Sequence, residues 1–157
     1  MNITFLEAGE DDVDIVTDYR MAFSDELNGK QSEAIERNLR DNLNAYFKAE
    51  LGRNYICWYA SVNGDVAAIG GLGIRVVPGN IKNPSGVWGY IMSIYTVPQY
   101  RRQGLCKQIL ERLVNTARER GVTAFELHAT KEGEPVYVQS GFVQHSEPTY
   151  RKFFVAD

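Results

Sequence analysis

The sequence predicts one α/β domain with a mixed, mostly antiparallel sheet and helices on both faces. Its 157 residues, 44% hydrophobic and 24% charged, suit a single soluble globular domain, which we expect to span residues 1–157. Segments of helical and strand periodicity follow one another in the order β-αα-β-β-β-α-β-α-β. Asn63-Gly64, between two runs rich in β-branched and aromatic residues, predicts a two-residue hairpin and so an antiparallel pair of strands.

The N-terminal third predicts one strand and two helices. A strand is expected at Asn2–Leu6. Acidic residues then open a helix over Glu10–Leu27, where their charge complements the helix dipole, and Asn28-Gly29 ends it. A second helix is expected over Ser32–Leu51, with its apolar residues on one stripe and Gly52 as the C-terminal breaker.

The middle of the chain predicts three strands, at Tyr55–Val62, Val66–Val77 and Trp88–Val97. A loop at Pro78–Gly86 separates the second strand from the third. The run Gly70-Gly71-Leu72-Gly73 could suggest a nucleotide-binding loop, but it lies inside a strand pattern. There it favours a bulge or a close approach of two backbones.

The C-terminal third predicts an amphipathic helix over Gly104–Arg120, which Gly121 ends. A strand at Val122–Ala129 and a short helix at Glu134–Gln139 follow. We expect one or two closing strands within Phe142–Val155.

Composition excludes several classes of protein. No apolar run approaches the ~20 residues that a membrane helix needs, and the first ten residues lack the pattern of a secretory signal. Cys57 and Cys106 are too few for a disulfide scaffold and lack metal-ligand spacing, and His128 and His145 are the only histidines. We therefore expect a cytoplasmic protein with no metal and no membrane partner.

The charge is divided unevenly along the chain. Residues 1–50 carry twelve acidic and five basic side chains, and residues 51–157 carry eight acidic and twelve basic ones. Because phosphates need a contiguous basic surface, an acidic half argues against a nucleic-acid partner. The same acidic half favours a cationic ligand, although the carboxylates at the start of a helix also serve its dipole.

The segment from Ile94 to Cys106 reads as a strand, a tight turn and the start of a helix. The first turn of a helix presents unpaired N–H groups and a positive dipole end, which together bind anions. Gly104 lets a ligand approach the backbone closely, while Arg101 and Arg102 add positive charge. The alternative is a glycine-containing loop with no ligand.

Arg101-x-x-Gly104-x-Cys106 resembles the Arg/Gln-x-x-Gly-x-Gly/Ala signature of the GNAT family of acetyl-CoA-dependent acyltransferases, with Cys106 in place of the usual Gly or Ala. Tyr137-Val138-Gln139-Ser140-Gly141-Phe142 matches the family's Tyr-x-x-x-Gly-Phe. Leu127-His128-Ala129, followed by Gly133-x-Pro135-x-Tyr137, is similar to a bacterial branch. The resemblance covers roughly residues 88–142.

The resemblance implies a sheet that splays between its fourth and fifth strands to admit acetyl-CoA as co-substrate. The residues that it implies for binding are the strand end Ile94, Tyr95 and Thr96, the turn and helix start Arg101, Arg102, Gln103, Gly104, Leu105, Cys106 and Lys107, and Thr130 and Gly133 beside the cleft. A thiol at a helix N-terminus can have a lowered pKa, but we expect Cys106 to be a small packed residue.

Tyr137 matches the family's general acid, which protonates the departing thiolate of coenzyme A. The alternative is a core tyrosine that packs under Phe142. No base is assigned: Glu26, Glu126, His128 and a water molecule are all candidates.

The resemblance therefore implies an N-acetyltransferase that moves an acetyl group from acetyl-CoA directly to a primary amine of an unidentified acceptor, a small molecule or a protein. The sequence leaves the oligomeric state open, with a homodimer as one candidate. A catalytically inactive acyl-CoA-binding sensor is the first alternative, and an interaction domain with a fortuitous loop is the second.

Overall fold

The computed structural model describes residues 2–154 and shows one sheet with helices on both faces. The elements in chain order are β1 (Ile3–Glu7), α1 (Val13–Asn28), α2 (Glu33–Glu50), β2 (Tyr55–Val62), β3 (Asp65–Val76), β4 (Val87–Thr96), α3 (Leu105–Glu119), β5 (Ala124–Leu127) and α4 (Glu134–Gln139). Short 3-10 turns precede α1 and lie between β4 and α3. The predicted order of elements and the α/β class are confirmed up to α4.

The strands lie side by side in sequence order, from β1 to β5. Neighbours from β1 to β4 are antiparallel, and β5 is parallel to β4. Between β2 and β3, Asn63 has a φ of 52° and Gly64 a φ of 92°. Two positive φ angles in a row are what a type I′ hairpin turn requires, so the predicted hairpin is confirmed.

β4 and β5 part halfway along β4. Their pairing runs from Trp88 opposite Ala124 to Ile91 opposite Leu127 and then ends. Beyond Ile91, β4 continues to Thr96 and pairs only with β3. The sheet therefore opens into a cleft, called here the β4–β5 cleft. β5 is shorter at both ends than the predicted strand Val122–Ala129.

Two apolar cores lie on opposite faces of the sheet. On one face α3 covers the middle strands, and Leu105, Ile109 and Leu113 are almost wholly buried against Leu72 and Ile91. Full burial of one such side chain stabilises the fold by about 1.5–3 kcal/mol. On the other face α1 and α2 pack on the sheet through residues that include Val16, Phe47, Tyr55, Cys57 and Ile69.

The glycine run in β3 marks a close approach and a bulge. The register of β3 on β4 shifts between Ile69 and Gly71. A Cβ at Gly70 would lie 2.7 Å from Cγ2 of Ile109, and one at Gly71 would overlap the Tyr55 hydroxyl. This run therefore confirms the predicted close approach, since α3 and the Tyr55 ring lie directly against it. The bulge itself is in β4, which has two residues between the partners of Ile69 and Gly71 where β3 has one.

The predicted closing strands are wrong over the part of the segment that the structure describes, Phe142–Phe154; Val155 lies outside it. No strand is assigned there. The backbone N–H of Glu147 donates to Nδ1 of His145 (3.1 Å), which forms a local turn, and Pro148 follows without an N–H to donate. Within residues 142–154, the aromatic side chains therefore have no strand on which to pack in register. Among the helices of residues 2–154, none is long and apolar enough to cross a membrane.

Candidate functional site

The turn before α3 is shaped by two residues with left-handed backbone conformation. Arg102 has a φ of 63° and Gly104 a φ of 78°, and Gly104 is the N-cap of α3. A Cβ at Gly104 would have no atom within 4 Å, so the space beside this backbone is open. The turn therefore leaves room for a ligand against the start of the helix.

The N-terminus of α3 has free hydrogen-bond donors. It has no side-chain cap and no acidic residue in its first turn, and its first backbone bond runs from Gln108 N to Gly104 O (3.3 Å). Within residues 2–154, no group accepts a hydrogen bond from the backbone N–H groups of Leu105, Cys106 and Lys107. The N-terminus of α2 differs, since Ser32 Oγ accepts from Ile35 N there. The start of α3 fits a diphosphate.

Arg101 is directed away from the start of α3. Its Nη2 donates to both carboxylate oxygens of Glu26 (2.6 and 2.7 Å), and its Nε donates to the backbone oxygen of Thr96 (2.9 Å). Its charge is thus engaged by α1 and by the end of β4. The side chains of Arg102, Gln103 and Lys107 are exposed beside the turn, where Arg102 and Lys107 supply the positive charge.

The free edge of β4 forms one wall of the β4–β5 cleft. Ile94, Tyr95 and Thr96 lie beyond the last pair with β5, so their edge is open to peptide-like amides. Tyr95 also contacts α1, with ring centroids 6.5 Å from Tyr19 and 6.2 Å from Phe23.

Tyr137 lies on α4, on the α3 side of the sheet, with its ring 6.3 Å from that of Phe142. Burial, and secondarily the nearby Cys106, raise the pKa of Tyr137 to about 12. The phenol therefore stays protonated at neutral pH and can donate a hydrogen bond, although it is a weaker acid than a free phenol. Burial also raises the pKa of Cys106, which keeps its thiol protonated and favours a packing role.

Thr130 and Gly133 set the entry to α4. Gly133 N donates to Thr130 Oγ1 (3.2 Å), and Glu134 N donates to Thr130 O (3.0 Å). A Cβ at Gly133 would lie 3.1 Å from Cε2 of Tyr137. The absence of a side chain at Gly133 thus makes room for the Tyr137 ring.

The three candidate bases occupy different environments. Glu26 is held by Arg101. Glu126 and His128 are exposed. Glu126 alternates with Leu127 on β5 and so lies on the α1 and α2 side of the sheet, and His128 directly follows the end of β5. The His128 ring is 5.7 Å from that of Tyr90. Glu126 and His128 are therefore beside the point where the strands part, and the assignment of a base among them stays a prediction.

Sequence reasoning missed a polar contact beside the cleft. Nη1 of Arg20 on α1 donates to Ser93 Oγ on β4 (2.6 Å), and Ser93 has a φ of 59°. Both residues line a small cavity of about 10 Å³ together with Tyr55 and Gly70. The glycine run lies opposite the bulge in β4 that contains Ser93, but nothing local links two residues that are 73 positions apart.

Within residues 2–154, no group of three or more His, Cys, Asp or Glu side chains is placed to hold a metal ion. The site consists of a helix N-terminus, an open strand edge, a half-buried phenol and the polar contact between α1 and β4 beside the cleft.

A family model described as the acetyltransferase (GNAT) family matches residues 15–142. A predicted acetyltransferase from Clostridium acetobutylicum, solved with acetyl-CoA, is 27% identical, with a TM-score of 0.86 and 96% of each chain covered. A GCN5-related N-acetyltransferase from Ralstonia eutropha is 24% identical, with a TM-score of 0.83 over 96% of this chain and 99% of that one. A ribosomal-protein-alanine N-acetyltransferase from Brucella melitensis has the same fold at 17% identity (TM-score 0.71, 98% and 100% covered). No curated protein sequence matches the chain.

Proposed function

The chain belongs to the acetyltransferase (GNAT) family, and from that membership we propose that it transfers an acetyl group from acetyl-CoA directly to a primary amine of a small molecule or a protein. The observation that carries the proposal is the uncapped N-terminus of α3 beside the open edge of β4. The similar protein from Clostridium acetobutylicum, which was solved with acetyl-CoA, supports the choice of donor.

In this proposal, two elements bind different parts of acetyl-CoA, the start of α3 and the edge of β4. The N–H groups from Gln103 to Lys107 receive the diphosphate, with Arg102 and Lys107 as counter-charges. The edge Ile94–Thr96 pairs with the amides of the pantetheine arm as with a neighbouring strand. Thr130 and Gly133 border the cleft on the side of α4.

The proposed chemistry needs one bond made and one broken. The lone pair of the neutral amine attacks the thioester carbonyl carbon, and the carbon–sulfur bond breaks with its electron pair on sulfur. Tyr137 donates its hydroxyl proton to that sulfur and regains a proton from solvent. The proton lost by the amine passes to water or to a side chain beside the cleft, Glu126 or His128.

The two faces of the sheet have separate tasks in this proposal. Tyr137 lies on the face of α3 and α4, while Glu126 lies on the face of α1 and α2. The thiol accordingly leaves on the first face and the amine arrives from the second. A half-buried Tyr137 that stays protonated at neutral pH supports an enzyme over an inactive acyl-CoA sensor. We propose that the enzyme acts in the cytoplasm.

The test measures two properties of the purified chain. A thermal shift with coenzyme A reports binding, since a ligand at 100 times its dissociation constant stabilises the fold by about 2.7 kcal/mol. Release of free thiol from acetyl-CoA, measured with and without a panel of amines, reports transfer. Binding with amine-dependent thiol release is the expected result. Binding without release would identify a sensor, and no binding would contradict the proposed donor site.

A further inference from the structure

The guanidinium of Arg20 is a half-buried cation at the acceptor side of the β4–β5 cleft. Building on the proposed acetyl transfer, we infer that Arg20 binds a carboxylate of the acceptor and that the acceptor is a small amino acid or a related amino-carboxylate. Four observations lead to this inference: the position of Arg20, its unused donors, its surroundings and the charge around it.

The position of Arg20 is fixed by its bond to Ser93. Ser93 lies two residues beyond Ile91, the last residue of β4 that pairs with β5. At about 3.3 Å per residue, Ser93 is about 7 Å along the strand from the point where the cleft opens. Arg20 reaches Ser93 from α1, so it lies on the face from which the amine arrives.

Most of the donors of Arg20 are unused. A guanidinium has five N–H groups, and within residues 2–154 only one hydrogen bond is made by this one, to Ser93 Oγ. No carboxylate of the described residues lies within 4 Å of it. The other two arginines of residues 1–50 are paired, Arg37 with Glu33 and Arg40 with Asp18.

The surroundings of Arg20 do not neutralise it. The cavity on its inner side is lined by Val16, Ile69 and the ring of Tyr55, and it measures about 10 Å³. Burial raises the pKa of Tyr55, so this phenol remains uncharged beside the guanidinium. A half-buried cation without a counter-charge favours an anionic ligand on its open side. A carboxylate fits its planar fork with two parallel hydrogen bonds.

The charge around Arg20 suits an acceptor that also carries an ammonium group. Residues 1–50 have twelve acidic side chains against five basic ones, and Glu126 on β5 faces the same side of the sheet. Arg20 is thus a cation on a segment whose net charge is negative. An amino acid, with its ammonium group near a carboxylate of its own, complements this pattern better than a simple polyamine does.

The test compares acceptors that differ only in the carboxylate. Free L-amino acids are assayed against their carboxamides in matched pairs, with neutral, acidic, basic and aromatic side chains, and kcat/KM for thiol release is measured. At least one acid is expected to exceed its amide by about 10- to 100-fold, the worth of hydrogen bonds to a charged group. Arg20→Gln should remove that ratio by raising KM for the acid, and Arg20→Lys should restore part of it.

Matched controls separate the inference from its premises. Arg37→Gln removes an equal charge from an exposed pair and should keep the acid-to-amide ratio; circular dichroism and thermal unfolding confirm the fold of each variant. The inference would be overturned, while the proposed transfer stands, if kcat/KM were equal for the amides and the acids. It would also be overturned if kcat/KM for β-alanine were no higher than for ethanolamine and O-phosphoethanolamine. Failure of every amine, acid and amide alike, would instead overturn the proposed transfer.

Discussion

Arg101 and Glu26 join the first helix to the turn that precedes α3. Both carboxylate oxygens of Glu26 accept from Nη2 of Arg101, at 2.6 and 2.7 Å, across 75 positions of the chain. Arg101 also holds the end of β4 through Thr96 O. The acceptor side of the molecule and the proposed diphosphate site are therefore connected by one side chain.

Loss of this connection should change binding more than chemistry. Glu26→Gln is expected to raise KM for acetyl-CoA a few-fold, because Arg101 loses its anchor on α1, while the pH profile of kcat keeps its shape. Since both side chains are more than 40% exposed, the free energy of unfolding should change by no more than about 1 kcal/mol. Glu33→Gln, which breaks the exposed pair with Arg37, is the control. Disappearance of the acidic limb of the profile in Glu26→Gln would identify Glu26 as the base.

Gly104 offers a test of the diphosphate site. Gly104→Ala puts a methyl group into the open space beside the turn and should weaken coenzyme A binding at least tenfold in calorimetry. Because Gly104 has a φ of 78°, the substitution also costs about 1 kcal/mol of stability. Gly121→Ala is matched, since Gly121 has a φ of 86° and equally open space at the far end of α3. Equal affinities in the two variants would show that the ligand does not touch this turn.

Tyr137→Phe tests the proposed acid. The ring contact with Phe142 is retained, so the fold and the affinity for acetyl-CoA should stay as they are. Removal of the hydroxyl should lower kcat by about 10²- to 10⁴-fold. Tyr46→Phe, on the partly exposed side of α2, is the control. Unchanged turnover under single-turnover conditions would leave Tyr137 with a packing role only.

Stability should fall at high pH. In the folded state burial raises the pKa of Tyr55, Cys57 and Tyr137, the last to about 12. Above the ordinary thiol and phenol values of about 8.5 and 10, the unfolded state loses these protons first. The stabilisation is therefore complete below pH ~8.5 and decreases as pH rises toward the folded values. Urea unfolding at pH 8, 9.5 and 11 checks this, and Tyr137→Phe should flatten the loss between pH 10 and 12.

We predict that the chain forms a homodimer. Val143, Tyr150, Phe153 and Phe154 are 82–90% exposed in the C-terminal segment, and exposed apolar groups of this size favour association. Sedimentation velocity at increasing concentration should show a dimer. The double variant Phe153→Ser with Phe154→Ser should shift the equilibrium toward monomer without loss of secondary structure. A monomer at all concentrations would contradict the prediction.

The elements that the sequence identified correctly are those with a local physical signal. Asn63-Gly64 demands left-handed backbone, and the helical stripe of α3 demands a buried face, so both were predictable without tertiary information. The segment after Phe142 could not be predicted in this way. Strand propensity reflects how well a segment fits a partner strand, and residues 142–154 form no strand pair.

The candidate site was predictable only in part for the same reason. The turn at Gly104 and the phenol of Tyr137 belong to local motifs, so their positions could be predicted from the sequence. The bond from Arg20 to Ser93 and the pair of Arg101 with Glu26 each join residues more than 70 positions apart. Such contacts depend on how α1 packs on β4, which no local pattern specifies.

At Ser93, the residue that would give the more stable backbone is not the residue that the proposed selection of the acceptor needs. A non-glycine residue at a φ of 59° carries strain of about 1 kcal/mol, which glycine would relieve. Glycine would also remove the hydroxyl that orients Arg20. Selection for heat resistance alone would therefore favour loss of this side chain, and a serine here is expected to persist only while the chain is selected for discrimination among acceptors.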